Sequence, residues 1–411
     1  MSAQRYELRG SSVRRALLAL AGVALVAVAA CADDASEAEP TPTDDGGVLP
    51  PSEAGPVDDA GVDGDAADAA QPPRTCSDQG WCGTLVPAGQ TLRGVWSDGA
   101  GMTWAVSEQG AILRLGPGEN AWTVHATVAG ELRAVWGSGP SDVWVGGEKG
   151  LYRGQGATPA SLVFKPNPVP GDATIAITSL WGSGPNDVWA VGGKMKDEST
   201  AGSRVLRFSG ASTDAGATWT LDPVSTRPFA FTKVWGTAKS GVWIGGFNSS
   251  PNGADAAVFR RAAGTTTFTR ITNLPFDPRD GTESGVFGDF TTGGASGNDV
   301  WIAGKSRGFS PGFWRGTSTD GVTFTWTHLA RDLNDQPLEA IWGTSTTDAW
   351  AAGEYGRLRH WNGTAWAQAA LMTGKYPIVE PLYAIWGTST TDVWVVGKGT
   401  AIHLDPTKAK K

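Results

Sequence analysis

The sequence predicts an all-β protein. The expected architecture is a seven-bladed β-propeller of four-stranded antiparallel blades, with the last blade closed by the N-terminal strand. Three observations predict it: two aromatic columns recur along the chain, their units repeat every 40–55 residues, and helical periodicity is absent. Repeats of this length with strand-like content are the signature of propeller blades.

The first column is Trp96, Trp136, Trp181, Trp235, Phe287, Trp342 and Trp386. The second is Trp104, Trp144, Trp189, Trp243, Trp301, Trp350 and Trp394. In six units the columns stand eight residues apart, and the fifth reads as carrying a six-residue insertion between Phe287 and Trp301. Within a unit, Leu132–Trp136 alternates in polarity and is rich in β-formers, giving the innermost strand. A Gly/Ser/Pro/Asp turn follows, and Asp142–Gly146 is the second strand. Leu358–Trp361 exemplifies the third, and the fourth falls at Trp122, Trp219, Phe268, Trp326 and Trp366. The last unit stops after its third strand at Ile402–Leu404, while a spare strand beginning at Trp81 precedes the first unit. Pairing the two closes the ring and removes the open edges of an unclosed array.

Residues ahead of the repeats are of other kinds. Arg5, Arg9, Arg14 and Arg15 precede an apolar run from Ala16 to Ala30, which ends in small residues and Cys31. Fifteen apolar residues are short of the roughly 20 that span a bilayer, so residues 1–30 read as a signal peptide. The position of Cys31 resembles a bacterial lipobox, which implies lipidation of that thiol and an exported protein anchored in the cell envelope. Residues 32–75 carry 12 acids, one base and no aromatic residue. Such a segment cannot bury enough apolar surface to offset its ordering entropy. It reads as a solvated tether, spanning roughly 35–40 Å as a flexible coil.

Of the 33 bases and 41 acids, 5 and 13 lie in residues 1–75, leaving 28 of each in 76–411. A neutral body argues against nucleic-acid binding, which needs a surplus of cations. Cys76 and Cys82 are the cysteines left after Cys31, and outside the cytoplasm such a pair is expected to be oxidised. The 4 histidines show no metal-ligand spacing with them, so neither metal nor cofactor is expected.

The aromatic columns invite a sugar-stacking reading. Each indole, however, buries roughly 150–250 Å² when adjacent blades pack sheet on sheet. Residues that recur in every blade build the core, whereas a ligand site breaks the symmetry.

One blade carries a sharper motif. Ser212-Thr-Asp214-Ala-Gly216-Ala-Thr218-Trp219 fits the Ser-x-Asp-x-Gly-x-Thr-Trp pattern of the Asp-box, or BNR repeat, and Ser318-Thr-Asp320-Gly321-Val-Thr-Phe324 is a shortened relative. With the phrase Val-Trp-(Ala/Val)-Val-Gly, residues 81–404 resemble the propellers of photosystem II assembly and stability factors. Kelch repeats are the second choice, on Gly146-Gly147, Gly192-Gly193 and Gly245-Gly246. In these families the Asp-box is a structural hairpin turn, which implies no chemistry from Asp214.

No nucleophile elbow, zinc-protease helix or phosphate loop is present. The sequence therefore favours a non-catalytic binding or scaffold propeller for a protein or glycan. The alternative is a glycoside hydrolase or lyase on the same fold. Extra residues between second and third strands, in units three to five, mark one face as irregular. Lys196, Asn248, Arg307 and Phe309 are the candidate contacts there.

Overall fold

The computed structural model describes residues 76–409, except 198–199, 211–217, 251–252, 276–288, 306–311, 330–336, 370 and 374–375. The signal-peptide, lipidation and tether expectations fall outside the described residues.

The chain is an all-β propeller of four-stranded antiparallel blades. In the first unit, Leu92–Ser97, Thr103–Ser107, Ala111–Leu115 and Thr123–Thr127 pair in sequence order from the axis outward. The second to fourth units repeat this over 132–167, 179–221 and 230–270. In the closing sheet, Leu382–Ser389, Asp392–Gly397 and Thr400–Leu404 are completed by Trp81–Gly83 from the far end of the chain. Trp81 stands opposite Leu404, Cys82 opposite His403 and Gly83 opposite Ile402. The remaining eight strands form one sheet, whose halves span 289–328 and 338–369. Those halves meet along their innermost strands at a parallel bridge, Ser296 to Gly343. Among the described residues the sheets are thus five of four strands, one of eight, and a two-stranded ribbon at Met372–Thr373 and Tyr376–Pro377.

The fusion has a physical origin, and it corrects one sequence expectation. First-column residues face second-column residues in the ladder, as Trp136 faces Trp144. In the fifth unit the residue facing Trp301 is Gly294, not Phe287. That hairpin is therefore one residue shorter than its equivalents rather than six longer, and Phe287 lies outside the described residues. Around most of the ring a first-column indole covers a glycine of the next inner strand. A methyl group at Gly137 would stand 2.5 Å from Trp96, and one at Gly387 2.5 Å from Trp342. With no indole at 294 to act as spacer, the neighbouring strand closes in. A Cβ at Gly294 would lie 2.4 Å from the Ile341 carbonyl oxygen, and Ser296 Oγ donates to Asp348 O at 2.9 Å.

The second column forms the floor of the core. Trp104, Trp144, Trp189, Trp243 and Trp301 are fully buried between blades. Several of these indoles are covered by a cation that also bonds an aspartate two residues before the tryptophan. Arg153 lies 4.6 Å from the Trp144 ring and donates through Nε to Asp142 at 2.6 Å. Arg315 does the same for Trp301 and Asp299. In the two blades beside the ring closure histidine replaces arginine: His360 stacks on Trp350 at 4.1 Å, and His403 on Trp394 at 4.2 Å.

A candidate ligand site in the axial cavity

Six innermost strands carry, at or near their start, a buried apolar residue followed by a residue that drops out of the ladder. Such a bulge occurs between Leu92 and Gly94, Leu132 and Ala134, Phe231 and Lys233, Phe290 and Thr292, Leu338 and Ala340, and Leu382 and Ala384. A bulge leaves one residue unpaired and re-aims its side chain. The residues so displaced are Arg93, Arg133, Thr232, Thr291, Glu339 and Tyr383. All of them, with Thr178 of the third unit, line an axial cavity of about 400 Å³.

This ring lies at the rim where the turns between second and third strands meet the connections between units. Glu108 N donates to Thr91 O at 3.0 Å, Glu148 N to Glu131 O at 2.8 Å, and Lys398 N to Pro381 O at 3.1 Å. The ring does not obey the repeat. Arg93 Nε donates to Glu108 at 2.6 Å, and its guanidinium lies 3.6 Å over the Tyr383 ring. Arg133 pairs with Glu131. Burial pushes the Tyr383 phenol above its ordinary range; Arg93 opposes this, and the carboxylates of Glu354, Glu108 and Glu339 add to it. Lys233 enters the wall at a position that is Gly94, Ala134, Ser179, Thr292, Ala340 or Ala384 in the other units. Burial lowers the basicity of its amine and the field of Glu339 opposes that shift.

The residues singled out from sequence have other surroundings. Lys196 is exposed, with Nζ 3.9 Å from Asp172. Asn248 is half-buried in a strand, opposite Asp255. Arg307 and Phe309 lie outside the described residues. The extra residues expected as loops in units three and four instead lengthen hairpins: Met195 pairs with Ala201, and Ser250 with Gly253. Residues added to both arms of a hairpin extend the ladder, which keeps backbone groups paired. Cys76 and Cys82 are bonded, with Cα atoms 4.0 Å apart.

Ser212, Asp214 and Gly216 lie outside the described residues. Thr218 opens an outer strand, and Trp219 packs edge-on against Trp144 at 5.2 Å. The related turn at Ser318 is described. Asp320 Oδ1 accepts from Val322 N at 2.7 Å, Thr323 N at 2.8 Å and Ser318 Oγ at 2.9 Å. These donors hold the Asp320 carboxyl well below the usual carboxylate range. Arg260 Nη2 donates to Gly321 O at 2.9 Å, tying the turn to the neighbouring blade. Oδ1 of Asp320 is thus spent on shaping a turn. A second cavity, of about 380 Å³, lies between units three and four; its Arg207 and Arg261 are already paired with Asp187 and Asp222. Among the described residues no three His, Cys, Asp or Glu side chains gather as a metal site.

The axial ring escaped sequence analysis because its members sit inside the most regular phrase of the repeat. The available signal was the variable second residue of Leu-x-Ala-Val-Trp.

No protein-family model and no curated protein matches the sequence. Solved structures do. The chain is similar to YCF48 bound to D1 peptide, at 13% identity over 81% of this chain and 99% of that one, with a TM-score of 0.56. It is similar to the WD40 repeats of RRP9, at 9% identity over 81% and 99%, with a TM-score of 0.55. It also resembles the extracellular domain of a hybrid two-component system from B. thetaiotaomicron, at 12% identity over 80% of this chain but 40% of that one, with a TM-score of 0.55. At these identities the likeness establishes the fold alone: the chain is a β-propeller.

Proposed function

We propose that this protein is a non-catalytic binding propeller of the cell envelope that engages a protein partner at the axial rim. The observation that carries this is the ring Arg93, Arg133, Thr178, Thr232, Thr291, Glu339 and Tyr383, which breaks the symmetry of an otherwise uniform wall. Insertions and long connections open on the same face, as binding surfaces of repeat proteins do. YCF48, which shares the fold, is solved with a D1 peptide bound. The hydrolase reading needs two carboxylates about 5–10 Å apart, and among the described lining residues Glu339 is the single acid. The second-column indoles are buried between blades and offer no platform for a sugar.

The finer architecture belongs to the same proposal. The eight-stranded sheet reads as two blades fused at one bridge, which makes the ring seven-bladed. The turn at Ser318 reads as an Asp-box of structural purpose, as does the motif at Ser212. Cys31 reads as the lipidated residue and 32–75 as the tether. Detergent-phase partitioning of Cys31→Ser tests the anchor: partitioning unchanged from the wild type would remove it.

The binding reading is tested by capture from envelope extract with the full chain. Arg133→Glu and Tyr383→Ala should each lose the captured partner, whereas Val322→Ser, on the opposite face, should retain it. Retention by both rim variants would place the interface elsewhere.

A further inference from the structure

We infer that the rim of the sixth unit carries a docking spot, centred on Tyr355, for a protein segment that presents an arginine or lysine side chain. The inference rests on the rim reading above and names the chemistry of the partner there.

Tyr355 stands in the turn that joins the second and third strands of the sixth unit, Asp348–Gly353 and Leu358–Trp361. The turn is tight: Arg357 N donates to Glu354 O at 3.3 Å, and Gly353 N to Arg357 O at 3.1 Å. Tyr355 has φ +56° and Gly356 φ +65°. Consecutive positive values suit Asn-Gly or Asp-Gly. Among the described residues Tyr355 is the single non-glycine with positive φ, where a bulky side chain is strained. The strain serves no packing, because Tyr355 is 66% exposed. In the equivalent turns, Glu108-Gln109-Gly110 and Glu148-Lys149-Gly150, the middle side chain is used locally. Gln109 Oε1 accepts from Thr91 N at 2.8 Å, and Lys149 pairs with Glu148. A strained residue that does nothing for its own fold points to a binding role, since such strain clusters at ligand clamps.

Tyr355 is not isolated. Val379, 61% exposed, ranks next to it among the exposed large apolar residues described. The two are neighbours: a Cβ at Gly356 would stand 3.2 Å from Val379 Cα, so the turn rests on the connection into the seventh unit. The charge beside this pair selects what covers it. Glu108 pairs with Arg93, and Glu148 with Lys149. Glu354 holds the same place in the sixth unit, but Glu339 fills the place of Arg93 and Tyr355 that of Lys149. Among the described residues Glu354 therefore has no cation of its own, while Arg357, which closes the turn, is engaged with another group. Beyond Val379, Glu380 is already paired with Lys398 at 3.5 Å. An acidic segment would be repelled by Glu354, and a wholly apolar one would strip its water and return nothing. Arginine or lysine meets both demands. Its aliphatic stem covers Tyr355 and Val379, and its charged head reaches Glu354 and the face of the phenol ring.

The test pans a random peptide library on the immobilised, detergent-solubilised full chain. Enriched peptides should carry Arg or Lys beside an apolar residue, and should bind the wild type at least about tenfold more tightly than Tyr355→Ala. Glu354→Gln should weaken them about twofold to fivefold, an effect that added salt removes. Panning on Glu354→Lys should enrich Asp or Glu in place of the basic residue. Tyr355→Asn suits the turn, so its melting temperature should rise while the peptides are lost, as when stability and function pull apart. A pool without basic residues, equal affinity for Tyr355→Ala, or a melting temperature lowered by Tyr355→Asn would overturn the inference. Wild-type self-association that Tyr355→Ala abolishes would also overturn it, making a second copy the occupant. If the peptides are lost with Arg133→Glu but kept with Tyr355→Ala, this inference alone has failed. If both variants keep them, the rim reading has failed with it.

Discussion

The indole of Trp136 lies over Gly182 of the next inner strand, so closely that a methyl group there would stand 2.6 Å from the ring carbons. The relationship recurs between Trp96 and Gly137 and between Trp342 and Gly387, and it explains why tryptophan and glycine are adjacent in the repeat phrase. Each of these indoles needs a bare backbone in front of it, which the glycine supplies to the preceding blade. Trp386 instead meets Ser97 and donates Nε1 to its carbonyl at 3.1 Å. Gly182→Ala should therefore destabilise the protein by about 1–3 kcal/mol, the usual cost of overpacking a close-packed core. Gly184→Ala, where a methyl group would meet nothing within 4 Å, should be near neutral. Urea denaturation of the two variants checks this, and equal midpoints would refute it.

How much of this was legible in the sequence depends on the residue. The columns could be read because a Trp that recurs every 40–55 residues is visible without any structure. The role of Trp81 could be read because the last unit lacked one strand. Gly294 could not. With no tryptophan at that place, the sequence register falls on Phe287, and only the ladder shows Gly294 facing Trp301. The axial ring was hidden for another reason. A bulge breaks the two-residue alternation that tells inward from outward, so Arg133 looks like a solvent-facing strand residue until the ladder is seen to skip it.

Arg204 offers a second test. It is almost fully buried, and its guanidinium donates to Pro170 O at 2.9 Å, Val169 O at 2.9 Å and Ile175 O at 3.4 Å. These carbonyls belong to the connection between the second and third units. One side chain thus satisfies a segment with no ladder of its own. Arg204→Met keeps the apolar stem but removes every donor. The expected loss is about 1–3 kcal/mol, since the acceptor on buried Ile175 is left unpaired, while Val169 and Pro170 are open to water. Proteolysis within 165–175 should accelerate in the variant. An unchanged cleavage rate would mean that the connection is held by other contacts.

Acid should act where histidine covers the second-column indole, at Trp350 and Trp394. His403 Nε2 donates to Asp392 Oδ1 at 2.7 Å, and this bond, with that from Thr388, holds the Asp392 carboxyl below its ordinary value against the opposing effect of burial. Burial is the largest influence on Asp348 and acts upward, but bonds from His360 and Thr344 outweigh it and the net direction is again down. A carboxyl lowered in the fold stabilises it at pH above the unfolded-chain value of about 3.9, and that contribution is lost as pH falls through the folded value. Melting temperature should therefore drop below about pH 4. His403→Gln should flatten that part of the profile. Partial exposure limits each pair to under about 1 kcal/mol. A profile identical to the wild type would remove the pair as a contributor.

Ring closure is the most consequential feature to test, because it joins the two ends of the propeller through a strand of three residues, Trp81–Gly83. So short a ladder holds only if its side chains are anchored. Trp81 is buried, with its ring 5.1 Å from that of Trp350 in the preceding blade and edge-on to it. Thr84 Oγ1 extends the hold by donating to Ala401 O at 2.9 Å and accepting from Trp122 Nε1 at 2.9 Å, which links the closing blade to the first. Gly80 permits the approach: its φ is +86°, and a Cβ there would stand 2.5 Å from Asp405 O. Trp81→Ala should cost about 3–5 kcal/mol, as for other buried large-to-small changes. Deletion of 76–83 should also expose the edge of Thr400–Leu404 and promote self-association. Deletion of 32–70 removes no aromatic residue and should leave the melting temperature where it was. Thermal melts with light scattering separate these outcomes. Equal melting temperatures for the two deletions would show that the ring is not closed through Trp81.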